Sequence, residues 1–269
     1  MGVVDIDKRI QLKNEYVQLR DEFVDIVLDR AENVIKREVT LKSLYQAQFG
    51  MYELSRIQLS LETKVAGRKI EMIEGCIKEN KEIDMEEIED SINSEEAAIK
   101  ELIDHKRERI KRANKFLTRK RLSEREMDRM RDSLKLLTMK LHPAITGKFN
   151  DGSIQLLEKA LDAFVDENPG KMRLIENLLD KDIEKESDII NESLTDKIFR
   201  LKNAIQDEII QINDEKKEYI FQIQDKIYDE EWIENHKNSL KNEIRETDEL
   251  RKELRYRLDI LEKLHDFKL

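Results

Sequence analysis

The 269-residue chain has little of what compact catalytic domains and extracellular scaffolds contain: one cysteine, two prolines, seven glycines and one tryptophan. The single cysteine, Cys76, cannot form an internal disulfide, which excludes a disulfide-stabilised extracellular domain. No run of 18 or more apolar residues is present, so no membrane-spanning helix is expected. The N-terminus lacks the basic stretch and apolar core of a secretory signal. These absences predict a cytoplasmic protein that does not associate with membranes.

The residues that are present favour helix. Charged residues make up 41% of the chain and hydrophobic residues 39%. So many charges with so few helix breakers are typical of long helices and coiled coils rather than of an enzyme core. We therefore predict an all-α, elongated fold in which an antiparallel helical hairpin and a C-terminal coiled coil flank one small helical segment.

The charge is unevenly distributed. The whole chain carries a net charge of -10, yet residues 105–148 contain 15 lysines and arginines against 5 aspartates and glutamates. A basic centre between acidic arms predicts either an acidic partner for the centre or contact between the arms and the centre.

Residues 1–122 are predicted to form a long antiparallel helical hairpin. Apolar residues recur at three- and four-residue steps from about 13 to 79, which is the period of a helix with one buried face. The polar stretch 78–84 can turn, and Asp84 is a plausible N-cap for a returning helix. The apolar pattern then resumes from Ile88 towards the basic centre, so we place the tip of the hairpin near 80–84.

Residues 123–181 form a separate helical segment. Ser123 and Glu126 have the spacing of a capping box, which starts a helix. Pro143 disfavours helical geometry at His142, so this helix should end there. A glycine-containing loop and two further helices are predicted before residue 182.

Residues 182–269 are predicted to be a coiled-coil arm. The first apolar residues step by three and four, close to the 3.5-residue repeat of a left-handed coiled coil: Ile190, Leu194, Ile198, Leu201, Ile205, Ile209 and Ile212. Such a stripe predicts self-association or a partner helix. The pattern becomes irregular at 229–239, around Trp232, where we expect the tip of a second hairpin in preference to a kink.

One short motif carries a resemblance. The helix that begins at Glu124 ends in Lys140-Leu141-His142-Pro143, and the following helix contains Ala163-Phe164. This order resembles the central helical hairpin of a J-domain, the module that activates Hsp70 chaperones. The chain is also similar to a bacterial group in which a J-like segment follows a helical hairpin with a Leu-Tyr start, here 44–47, and an acidic turn, here 82–88. The resemblance covers about 40–180.

The resemblance implies a docking surface and a defect in it. In J-domains a His-Pro-Asp loop and the basic face of the preceding helix dock on Hsp70, and the aspartate accepts a hydrogen bond from a chaperone arginine. Ala144 stands at that position and has no side-chain acceptor, and losing one partner of a docked charge pair costs about 2–5 kcal/mol. We therefore expect a degenerate J-domain that does not stimulate Hsp70 in the usual way. The partner-binding residues implied are Arg125, Arg129, Lys135, Lys140, His142, Pro143 and Ala144. The alternative interpretation is that His142-Pro143 only ends a helix.

A second candidate surface is the basic run 106–121, which could neutralise phosphates or bind an acidic partner. It lacks interleaved aromatic residues, since only Phe116 is nearby, so base stacking is not supported. We favour a solvated helix face paired with acidic residues over a nucleic-acid site. The residues concerned are Lys106, Arg107, Arg109, Lys111, Arg112, Lys115, Arg119, Lys120 and Arg121.

No catalytic, metal or cofactor pattern is recognisable: the four histidines are far apart, and no phosphate loop or nucleophile motif occurs. The function predicted is that of a non-catalytic interaction or scaffold protein with protein partners. The alternatives are a working co-chaperone of a specialised Hsp70 and a nucleic-acid-binding coiled coil.

Overall fold

The structure, a computed structural model, describes residues 3–182 and 192–266, and within them it confirms the predicted all-α class: no strand occurs there. Ile190 of the predicted C-terminal stripe lies outside these residues. A π-helical turn, Ala31–Lys36, joins the first two helices, and a 3-10 turn, Lys226–Tyr228, precedes the last. The helices are α1 Val3–Arg30, α2 Arg37–Lys78, α3 Met85–Thr118, α4 Glu124–Leu141, α5 Pro143–Thr146, α6 Asp151–Val165, α7 Pro169–Asp182, α8 Leu194–Glu215, α9 Tyr219–Gln222 and α10 Glu230–Asp266.

The chain divides into two compact units that are not contiguous in sequence. The first contains Met1–Leu41 and Arg119–Gln222, and the second contains Lys42–Thr118 and Ile223–Leu269. The predicted segments 1–122 and 182–269 therefore each contribute to both units, whereas 123–181 lies wholly in the first.

The core of the first unit lies among α4, α6 and α7. The start of α4 follows the predicted capping box, in which the Glu126 carboxylate accepts from the Ser123 backbone N–H at 2.8 Å and from its hydroxyl at 2.7 Å. Ala31 of the π-helical turn packs into the same core. Its fully buried side chains are Ala31, Leu134, Leu137, Ala160, Ala163 and Phe164.

The helix α1 also belongs to the first unit and lies between two partners. Arg131 of α4 donates to Glu32 at 2.8 Å, just beyond the end of α1, while Lys135 donates to Asp25 at 2.7 Å. On the other side, Leu201 and Ile205 of α8 pack against α1. The buried part of the coiled-coil stripe predicted for α8, Ile198, Leu201 and Ile205, is therefore an internal surface of this unit, whereas Ile209 is exposed.

The second unit contains the predicted antiparallel hairpin of α2 and α3. Near its tip Ile73 packs with Ile88 and Ile92, and farther along Leu54 packs with Ile103 and Ile110. The Asp84 carboxylate accepts from the backbone N–H groups of Glu86 at 2.9 Å and Glu87 at 3.0 Å, so the predicted N-cap is confirmed.

The last helix, α10, completes the second unit beside α2. Ion pairs join the two helices with residue numbers that rise together, so the helices are parallel. Among them are Arg56–Glu243, Glu62–Arg251 and Glu74–Arg257, with N–O distances of 2.6, 2.7 and 2.5 Å. Leu258 and Leu261 pack beside the Ile73 cluster.

The sequence predicts a break in the helix at 229–239, and this position is wrong. The interruption lies at 216–229, and α10 passes without a break through 230–239. The ring of Trp232 stacks on His236 at 5.1 Å between centroids and meets Phe49 edge-on at 5.7 Å. Aromatic contacts one turn apart therefore anchor this part of α10, where the sequence has no aliphatic repeat.

Candidate functional site

The loop after α4 is built by a proline. His142 has extended backbone angles (φ -70, ψ 127), as the residue before proline favours, and this ends α4 as predicted. Pro143 takes the first position of the short helix α5, where its missing N–H costs nothing. The His142 Nδ1 accepts from the Ala144 backbone N–H at 3.1 Å, so the imidazole acts as the N-cap of α5.

The imidazole of His142 is half-buried and uncharged. The Phe23 ring of α1 meets it edge-on, with centroids 4.7 Å apart and planes at 65°. Burial lowers the pKa of His142 to about 4, because the imidazolium would lose its hydration. At neutral pH this ring is therefore a neutral cap whose Nδ1 lone pair is already in use.

Ala144 lies under α8 rather than at the surface. Its side chain belongs to an apolar cluster with Ile145, Phe23 and Leu201, and only 8% of the residue is exposed. Burial of the loop by α1 and α8 could not be read from the sequence, because α1 ends at Arg30, far before the loop, and α8 begins only at Leu194.

An arginine of α8 binds the loop backbone. The Arg200 Nε donates to the Ala144 carbonyl at 2.9 Å, and Nη2 donates to the Ile145 carbonyl at 3.4 Å. The remaining Nη1 pairs with Glu192. Gly147 ends α5 with φ +73, and a Cβ there would lie 3.0 Å from Arg200 Nη1, so glycine is required both for its conformation and for this approach.

The basic residues predicted to form one face of α4 lie on two different sides of the helix. Lys135 points towards α1, where it meets Asp25. Arg125, Arg129 and Lys140 lie on another side of the helix at near-multiples of its period, and all three are exposed. Of the seven residues implied by the resemblance, three thus remain on an accessible basic surface, while His142 and Ala144 take part in internal packing.

The second candidate set, 106–121, is divided between the two units. Its first six members lie on α3 in the second unit, and Arg119, Lys120 and Arg121 belong to the first. Lys106 pairs with Glu53, Arg107 with Asp104 and Lys111 with Glu108. The cations on α3 that are exposed and have no ion pair among the described residues are Arg109, Arg112 and Lys115.

Arg119 and Arg121 are structural residues of the first unit. Both bind Glu167, whose side chain is 5% exposed, at 3.4 and 3.0 Å, and Lys36 binds the same carboxylate at 3.0 Å. Burial works against ionisation of Glu167, but Lys36, the Leu122 N–H and Arg119 outweigh it and lower its pKa. Glu167 has a left-handed backbone (φ +51) at the end of α6, a position usually taken by glycine, so the buried ion cluster offsets a local strain.

Beside the loop, the first unit contains an open cavity of about 610 Å³ between α6 and α8. We call it the α6–α8 groove. His142, Pro143 and Ala144 form one end. The other lining residues are Phe149, Ile154, Leu157, Glu158, Leu161, Phe199, Arg200, Asn203, Ala204 and Asp207. The sequence does not predict this groove, because Phe149 and Phe199 lie 50 residues apart and meet only in the tertiary structure.

Within residues 3–182 and 192–266, no group of three or more histidine, cysteine, aspartate or glutamate residues is arranged to hold a metal ion. The helices there are too short or too polar to cross a membrane.

Comparison with known proteins gives no match of any kind: no family model, no curated protein and no solved structure matches this chain.

Proposed function

We propose that this chain is a non-catalytic protein-interaction protein whose J-like segment does not stimulate Hsp70 in the usual way. The observation that carries the proposal is the state of Ala144. Its side chain has no acceptor, it is buried between α1 and α8, and its carbonyl accepts from Arg200. A chaperone arginine that approached this loop would find neither an aspartate nor a free backbone carbonyl.

Three further observations support an interaction role. Arg125, Arg129 and Lys140 form an accessible basic surface on α4. The His142 imidazole, the titratable ring of the loop, has its Nδ1 engaged as a helix cap and is not disposed to act as a base. The α6–α8 groove leaves apolar rings exposed beside the loop. We propose that the chain binds protein partners in the cytoplasm and that it also self-associates.

The test is the steady-state ATPase rate of an Hsp70 with and without the native chain, with an authentic J-domain as positive control. We expect the native chain to leave the rate at its basal value. Stimulation as strong as that of the control would overturn the proposal and establish the alternative of a working co-chaperone.

Two variants show which feature prevents stimulation. Ala144→Asp supplies the missing acceptor but places it under α8, so we expect it to stay inactive. The double variant Ala144→Asp with Arg200→Ala also releases the contact with α8. Stimulation by the double variant alone would support descent of this segment from a J-domain; circular dichroism of both variants checks that the helices remain.

The nucleic-acid alternative retains one supporting observation, the exposed cations Arg109, Arg112 and Lys115 on α3. If it held, DNA or RNA would bind at low salt and the affinity would fall steeply as salt is raised. Because the rest of the set is paired or lies in the other unit, we expect no binding in a fluorescence anisotropy titration with single- and double-stranded probes.

A further inference from the structure

The α6–α8 groove leaves two aromatic rings in water. Phe149, in the loop before α6, is 85% exposed, and Phe199, on α8, is 67% exposed. Removing an apolar ring from water is favourable, so a partner that covered both rings would gain binding free energy from their burial. Aromatic residues in such pockets are typical anchors of protein–protein interfaces.

The rim of the groove is acidic. Glu158 on α6 and Asp207 on α8 are exposed, and neither has an ion pair among the described residues. Arg200 is the cation that lines the groove, and Glu192 already pairs with it. Two uncompensated carboxylates facing one apolar cleft favour a cationic occupant.

The dimensions fit a short helix. Phe199 and Asp207 are eight residues apart on α8, which corresponds to about 12 Å or two helical turns. Ile154 and Leu161 on α6 span a similar length. Two helices with an apolar cleft between them accept the apolar face of a third helix, whose anchors recur at three- and four-residue steps.

We propose that the α6–α8 groove binds a basic amphipathic helix of a partner protein. Its apolar anchors pack on Phe149 and Phe199, and lysine or arginine side chains on its flanks meet Glu158 and Asp207. The inference rests on the proposed interaction function and names its binding surface and partner class. The lining of the groove does not include Arg125, Arg129 or Lys140 of α4, so the groove and this basic surface would take partners of opposite charge.

The probe is a synthetic, fluorescein-labelled 14-residue peptide with leucines at i, i+4, i+7 and i+11 and lysines on the flanks. It is titrated with the full-length chain and followed by fluorescence anisotropy. We expect saturable binding that weakens at least about tenfold in Phe199→Ala, the loss typical of an aromatic anchor. Leu174→Ala, an equally exposed apolar position on α7, is the matched control and should bind as the native chain does.

Charge is tested by exchange. The double variant Glu158→Lys with Asp207→Lys should lose the lysine peptide and gain a peptide of the same pattern with glutamates. Equal binding of a scrambled lysine peptide, or binding unchanged in Phe199→Ala, would overturn the proposal. A native chain that sediments as a dimer while Phe199→Asp sediments as a monomer would also overturn it, because the occupant would then be a second copy.

The peptide-binding experiment and the Hsp70 ATPase assay test different proposals. If no lysine peptide binds the native chain and the Hsp70 ATPase rate still stays basal, the groove assignment fails and the proposed function stands. If the chain stimulates Hsp70 while the peptide binds as expected, the proposed function fails and the groove assignment stands.

Discussion

His142 shows how one residue serves two tasks in this loop. Pro143 requires an extended residue before it, and the imidazole caps the short helix that follows. The capping task needs the neutral ring, because Nδ1 must keep its lone pair to accept from the Ala144 N–H. The Phe23 ring and the surrounding apolar side chains hold it in that state.

The first prediction concerns acid sensitivity. The pKa of His142 is about 4 in the folded chain and about 6.5 when unfolded. The unfolded chain therefore takes up the proton first, so this contribution to stability is complete above pH 6.5 and is lost as the pH falls towards 4. Over the whole window the loss is on the order of 3 kcal/mol.

The measurement is urea unfolding at pH 7.5 and pH 5.5. The native chain should lose more free energy of unfolding between these pH values than His142→Asn, since asparagine can cap the helix but does not titrate. Equal losses in the two proteins would show that His142 is not the group responsible.

At the scale of elements, glycines in α2 have opposite roles. A Cβ at Gly50 would lie 2.7 Å from Ile110 Cγ1 of α3, so the absence of a side chain permits the close approach of the two hairpin helices. Gly75, near the end of the same helix, would meet nothing within 4 Å. The sequence alone indicates only that a glycine at position 50 weakens a helix, because glycine is a poor helix former.

The second prediction uses this pair. Gly75→Ala should stabilise the chain by about 0.5–1 kcal/mol, because alanine is the better helix former and no neighbour must move. Gly50→Ala should instead destabilise it, because displacement of Ile110 outweighs the same propensity gain. Thermal unfolding followed by circular dichroism shows whether each variant is more or less stable than the native chain. If Gly50→Ala were more stable, Ile110 of α3 could move aside without a loss of stability.

The helix α8 shows that a heptad-like apolar repeat does not identify the helix that packs against it. The repeat predicted a coiled coil, and within α8 the residues Ile198, Leu201 and Ile205 are indeed buried. They pack inside the first unit, where Leu201 and Ile205 meet α1. The apolar side chains of α8 that remain for an external partner are Phe199, Ile209 and Ile210.

At the scale of the whole molecule, each unit is assembled from distant parts of the chain. The chain passes between the units three times, and both depend on residues after 191: the first on α8 and the second on α10. Stability of both units should therefore depend on contacts of high sequence separation, which form late in folding.

The third prediction follows from this arrangement. A chain ending at residue 182 lacks α8 and α10, so Phe23 and Val24 of α1 lose Leu201 and Ile205, and Ile73 of α2 loses Leu258 and Leu261. We expect fast amide hydrogen exchange in α1 and a large drop in the thermal unfolding temperature. Adding the fragment 192–269 should restore protection in both units; a truncated chain as stable as the full one would contradict the assignment of these contacts.

The sequence by itself determined the features that depend on neighbouring residues. These are the all-α class, the capping box at Ser123, the helix end at His142 and the turn capped by Asp84, because capping and proline geometry act within four residues. Only the tertiary structure decided which surfaces meet. The burial of Ala144, its bond to Arg200 and the lowered pKa of His142 depend on α1 and α8, whose packing and exclusion of water no local pattern encodes.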